Sequence, residues 1–175
     1  MKNEETPNQF PLAMDAPEGK VNLIDQALIG RAVEMSRKSP RRRIIYPFHK
    51  TNEDVLHRML NCLQPDSYIR PHRHLSPPKA ESVIVLKGSI CFIVFDSDGR
   101  VQEHTVLSAM SDRIGVDMEP GVFHTFFAVE DDTVLFEIKP GPYEKGSDKD
   151  FAPWAPAENS EGAEEYLRGL QRLAE

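Results

Sequence analysis

Residues 71–88 read PHRHLSPPKAESVIVLKG and residues 119–124 read EPGVFH. Together they bring three histidines and a carboxylate, His72, His74, Glu81 and His124, to positions where strands and turns are the natural reading. An extended chain sends alternate side chains to one face, so His72 and His74 point the same way, about 6–7 Å apart. Glu81 leads the apolar run SVIVL and shares a face with Val83 and Val85. A carboxylate heading an inward row needs a partner, because an unpaired buried charge is costly. Pro120-Gly121 makes a turn, and a strand opening at His124 returns a third imidazole to the same cavity. Each residue alone is as well explained by a solvated or satisfied side chain. The conjunction is the donor set of one divalent metal ion inside a β-barrel. Imidazole suits Zn, Fe and Ni, and a carboxylate oxygen widens the choice to Mn.

The rest of the chain supplies the barrel. Strands are expected over Ser82–Leu86, Ile90–Phe95, Val101–Leu107, Val122–Val129 and Thr133–Lys139, while residues 55–64 fit helix or strand, with strand favoured. Asp98-Gly99 is a hairpin signal. Many short strands punctuated by turn residues predict an all-β barrel or sandwich. A helix over about 25–38 has Asp25 as N-cap and Leu28, Ile29, Ala32 and Val33 on one face, and stops before Pro40. Another helix over about 161–173 carries Ala163, Tyr166, Leu167 and Leu170 at helical spacing. Residues 1–20, polar and with three prolines, read as a flexible arm ahead of a single domain over 21–175.

Composition narrows the function. A net charge of −7 argues against a general nucleic-acid binder. No apolar run approaches a membrane span, and the N-terminus lacks the apolar core of a signal peptide, so a cytoplasmic protein is expected. Cys62 and Cys91 lie in largely apolar runs and read as small buried thiols. The expected partner is a small molecule, an anion in view of the arginines below. A homodimer is the expected assembly.

The same residues resemble the cupin superfamily. Its first motif has HxH, a glutamate, six residues and a glycine, matched here by His72-Arg73-His74, Glu81, SVIVLK and Gly88. Its second motif, PxGxxH, is matched by EPGVFH with Glu119 in place of the first proline. The resemblance implies a cupin jelly-roll β-barrel with flanking N- and C-terminal helices, a strand rather than a helix at residues 55–64, and His72, His74, Glu81 and His124 as metal ligands. The gap between His74 and Glu81 holds six residues, longer than usual, and puts Lys79 near the usual glutamate position. The glycine spacing after Glu81 favours Glu81, with Ser76-Pro77-Pro78 as a loop insertion. SPRRR (39–43), the FH at 48–49, PHRH, FEIKPGPY (136–143) and DKDFAPWAP (148–156) are further similar to the WbuC family of cupin-fold metalloproteins. That resemblance implies a link to bacterial surface-polysaccharide (O-antigen) synthesis.

Arg41, Arg42 and Arg43 form the densest positive cluster of an acidic chain, and guanidinium forks suit phosphate or carboxylate. With His49 they are candidate substrate contacts, and His49 is also the best candidate for a titratable group near the metal beyond the four ligands. The leading expectation is an enzyme of isomerase or epimerase type acting on a sugar, a sugar nucleotide or a related anionic molecule. A non-catalytic binding module and an iron-dependent dioxygenase are the alternatives.

Overall fold

A computed structural model describes residues 10–144 and 146–175. The N-terminal helix α1 (Gln26–Lys38) is followed by ten strands. These are β1 (Arg43–Pro47), β2 (Leu56–Leu63), β3 (His72–Arg73), β4 (Glu81–Lys87), β5 (Ser89–Phe95), β6 (Val101–Ser108), β7 (Gly115–Met118), β8 (Phe123–Ala128), β9 (Thr133–Pro140) and β10 (Asp150–Phe151). Helix α2 (Ala163–Gln171) and a 3-10 turn (Arg172–Ala174) close the chain.

The strands form two five-stranded sheets, ordered β1-β2-β9-β4-β7 and β10-β3-β8-β5-β6. Every strand pairing within them is antiparallel. Their inner faces meet in a core that includes Leu63, Val83, Val85, Phe92, Phe126 and Leu135. Each sheet is also covered on its outer face. Helix α1 lays Leu28, Ile29, Ala32 and Val33 over Ile44, Leu60, Cys62 and Val134 of the first sheet. Helix α2 packs Ala163, Leu167 and Leu170 on a cluster containing Ile93, Phe95 and Phe127 of the second. Strands covered on both faces read as continuous rather than alternating apolar runs, which explains FHTFFA in β8, buried along its whole length. Burying one aliphatic side chain contributes about 1.5–3 kcal/mol, so each helix is held chiefly by its apolar stripe.

The caps follow the sequence signals. Asp25 accepts from the Leu28 amide at 2.9 Å, and Arg37 and Lys38 fill the last turn of α1. Gly88, at φ +73, makes the β4–β5 turn, and a Cβ there would collide with the Thr133 side chain. Gly99, at φ +87, turns β5 into β6, and the ring of Trp154 occupies the space a Cβ would need. The C-terminal helix starts two residues later than expected, at Ala163, after Gly162 in the left-handed region.

The sequence missed β1, β7 and β10, which have two to five residues each. Strands this short carry too little alternation to be read without their partners. The expected arm over residues 1–20 lies in part outside the described residues. Its described part contacts the first sheet: the Met14 amide donates to the Ile45 carbonyl, and Phe10 and Met14 pack beside α1. Cys62 and Cys91 are free and buried. Burial pushes their thiols up to about 12 and about 11, which leaves both inert at neutral pH.

Candidate metal centre

Three short stretches of backbone bring the histidines together. β3 presents His72 directly opposite His124 of β8, with the ring centroids 4.7 Å apart. His74 lies two residues on, on the same face, its ring 5.2 Å from that of His72. The turn at Pro120-Gly121 is tied back to this strand, because the Gly121 amide donates to the His74 carbonyl at 3.0 Å. Glu81 opens β4 in the opposite sheet and faces the three imidazoles across the barrel. All four side chains are buried.

The hydrogen bonds fix the imidazole tautomers. A carbonyl oxygen can only accept, so a ring nitrogen bonded to one must carry the proton. His72 Nδ1 donates to the Arg70 carbonyl at 2.9 Å and His124 Nδ1 to the Val122 carbonyl at 2.9 Å. His74 Nδ1 donates to the Asp148 carbonyl. The Nε2 lone pairs are thereby turned into the barrel. One ring nitrogen from each histidine lies within 4.8 Å of the others. Glu81 Oε2 is 2.9 Å from His74 Nε2 and 4.0 Å from His124 Nε2. His74 Nε2, His124 Nε2 and Glu81 Oε2 are all buried without a hydrogen-bond partner among the described residues. A second proton on His74 could serve its contact with Glu81, yet His124 Nε2 would still have no donor. A single cation serves every one of these acceptors, and backbone carbonyls that orient metal-binding histidines through the distal nitrogen are the usual support of such a site.

Electrostatics agree with neutral imidazoles at His72 and His124. Burial, then the charge of Lys149, holds His72 well below the ordinary imidazole range. Burial likewise depresses His124, against the opposing pull of Glu81. Burial alone would raise Glu81, but His74, Lys139 and His124 outweigh it and keep it ionised.

Beyond the four lies a polar row that the sequence reading did not single out as one group. Lys139 is in register with the start of β4, and Glu137 is paired with Val83. Both are buried. Asn61 of β2 donates to Glu137 Oε2, and Lys139 Nζ lies 3.5 Å from Glu137 Oε1 and 3.0 Å from Asp148 Oδ2. Lys79, on the inserted loop, reaches Asp148 Oδ1 at 2.6 Å and the Pro142 carbonyl at 2.6 Å. Lys79 thus anchors the segment whose Asp148 carbonyl orients His74. Burial, then Glu81, raises the Glu137 carboxyl above its ordinary range. The available sequence signal was the alternation Leu135-Glu137-Lys139, which puts two charged groups on one face with a leucine.

The arginines and His49 occupy other surroundings. Arg42 pairs with Asp66 at 2.9 Å on the surface and caps α1 through the Arg37 carbonyl. Arg43 pairs with Glu158 at 2.6 Å and donates to the Tyr68 carbonyl at 2.7 Å. Arg41, whose buried Nε has no partner among the described residues, lines with Arg43, Tyr68 and Glu158 a separate cavity of about 280 Å³ beside α2. His49 stacks on His57 with centroids 4.0 Å apart, and its Nδ1 meets the Arg58 carbonyl and amide. None of their hydrogen bonds or ion pairs among the described residues involves His72, His74, Glu81 or His124.

CapF, in complex with the inhibitor 3-isopropenyl-tropolone, superposes with a TM-score of 0.50 at 19% identity, over 60% of this chain and 30% of its own. The fold is a cupin jelly roll. Oxalate decarboxylase from Bacillus subtilis at pH 4.6 gives a TM-score of 0.45 at 16% identity, over 57% of this chain and 24% of its own. The formate complex of Lactobacillus farciminis oxalate decarboxylase gives 0.44 at 19% identity, over 57% and 28%. At these identities the likeness is one of fold alone, and the chain spans under a third of the length of each of these structures. Residues 24–107 match a family described as a domain of unknown function, DUF6016. No curated protein matches the chain. Among the described residues no helix is long and apolar enough to cross a membrane.

Proposed function

We propose that this protein is a metal-dependent cupin enzyme. In this reading His72, His74, Glu81 and His124 hold one divalent ion, and the substrate is an anionic small molecule. The observation that carries the reading is the convergence of buried acceptors without a donor: His74 Nε2, His124 Nε2 and Glu81 Oε2. An ion bound there would supply Lewis-acid polarisation of a carbonyl or activation of bound water. The chain adds a proton acceptor of its own. Glu137 is a buried carboxylate beside the four, fixed by Asn61 and Lys139. It takes the place that sequence reasoning had given to His49. An isomerase or epimerase needs such a base next to a polarised carbonyl. The similarity of SPRRR, PHRH and DKDFAPWAP to the WbuC family supports a sugar nucleotide or related acid of surface-polysaccharide synthesis as the substrate.

Elemental analysis of the purified protein should find one divalent metal per chain. His72→Ala and His124→Ala should each lose it while keeping the far-ultraviolet circular dichroism of the folded barrel. Full metal in both variants would refute the ligand assignment. Turnover is tested by screening the loaded protein against sugar nucleotides and organic acids. Tight binding without conversion of any bound ligand would reduce the protein to a binding module.

A further inference from the structure

Lys149 is a half-buried lysine with no hydrogen bond or ion pair among the described residues. Its position is set by its neighbours. Asp148 before it is buried, salt-bridged to Lys79 and Lys139, and accepts from His74 Nδ1. After it, β10 pairs with β3, placing Asp150 opposite Arg73 and Phe151 opposite His72. Continuing that antiparallel register by one residue sets Lys149 opposite His74. Side chains alternate along a strand. Asp150 points out to its ion pair with Arg73, so Lys149 projects to the inner face, as His72 and His74 do. Its charge acts on His72 and His124; burial, then Lys139, lowers the Lys149 ammonium from its ordinary range, against the pull of Glu137 and Glu81.

The charges of this interior can be counted. The buried carboxylates among the described residues are Glu81, Glu137 and Asp148, and the buried ammonium groups are Lys79 and Lys139. Lys149 brings the positive groups to three against three. At formal charges and with neutral imidazoles these groups balance, and a divalent ion would add two positive charges. Lys79 and Lys139 already have carboxylate partners; Lys149 does not. Uncompensated charge at a largely buried site is costly, so a divalent ion beside an unpaired ammonium favours a ligand that brings negative charge.

We infer that the substrate of the metal centre carries an oxyanion, a carboxylate or a phosphate, and that Lys149 binds it beside the metal. This rests on the metal reading above. It also fits the anchoring of Pro142 and Asp148 by Lys79 and Lys139: a lysine that meets a ligand on a metal needs a fixed backbone.

The test uses the full chain loaded with Co²⁺, whose visible absorption reports ligands entering its coordination shell. Glycolate and inorganic phosphate are titrated as probes, with ethylene glycol as the neutral control. At least one anion should change the spectrum saturably, and ethylene glycol should not. Lys149→Met should keep the cobalt stoichiometry and melting temperature but weaken the anion by about tenfold or more, the loss expected of one charge-assisted hydrogen bond. Lys149→Arg should recover most of that affinity. Which probe binds separates carboxylate from phosphate recognition. Equal anion affinity in the wild type and Lys149→Met, or no response of the wild type to either anion, overturns the inference while leaving the metal site intact. Failure of the wild type to take up cobalt sinks the metal reading, and the inference with it.

Discussion

At the scale of single residues, a few side chains decide what the interior can do. The three Nδ1–carbonyl bonds fix the tautomers, and the tautomers turn lone pairs inward. A surface example of the same economy is Asp132, at φ +59 between β8 and β9. It pairs with Arg37 of α1 and accepts from Gln64 at 3.1 Å, linking the helix, the end of β2 and the turn. Arg37, and against burial also Gln64, holds the Asp132 carboxyl below its ordinary range. A depressed folded value means stability that is present above the unfolded aspartate pKa of about 4 and lost as pH falls through the folded value. Asp132→Asn keeps a residue that tolerates the left-handed region but removes the charge. The variant should melt below the wild type at pH 7, and the gap should narrow as pH falls below about 4. A gap independent of pH would show that the pair is not the source of the stabilisation.

At the scale of elements, the two helices make the strands what they are. β8 and β5 are buried almost throughout because α2 and the segment before it cover the outer face of their sheet. Leu167 is buried there, at the centre of the α2 stripe. Leu167→Ala should therefore cost about 2–5 kcal/mol, the range of a core leucine truncation, read from the urea midpoint at constant m-value. A loss below about 0.5 kcal/mol, typical of surface sites, would mean that α2 is not part of the cooperative core. Such a variant should leave metal content unchanged, because α2 contributes none of His72, His74, Glu81 or His124.

At the scale of the whole molecule, the centre spans both sheets: His72 and His124 come from one and Glu81 from the other. An ion bound there would cross-link the barrel. Binding to the folded state alone stabilises by about 4 kcal/mol at a thousandfold excess over Kd. For a chain of this size each kcal/mol is worth about 2–4 °C. Adding Zn, Fe, Mn or Ni to chelator-stripped protein should raise the melting temperature by roughly 8–16 °C, and His124→Ala should abolish the shift. No shift with any of the four ions would contradict the proposed centre.

The all-β barrel or sandwich and the convergence of His72, His74, Glu81 and His124 were legible in the sequence, because alternation along a strand is local and the turns at Gly88 and Gly121 each need a residue that tolerates positive φ; the jelly roll came from the resemblance of the motifs. The sequence did not determine the chemistry around those four residues. In β9 the period of two says that Leu135, Glu137 and Lys139 share one face and Val134, Phe136 and Ile138 the other. It cannot say which face is inside, and the usual expectation sends the charged face to water. Only the tertiary structure decides the reverse. α1 covers Val134 and Phe136 on the outer side, and Glu137 and Lys139 turn inward to Asn61 of β2 and to Asp148. Burial of that charge is tolerable because Asn61, 76 residues away on β2, and Asp148, nine residues on from Lys139, reach it through the fold, and such compensation leaves no periodic pattern to read.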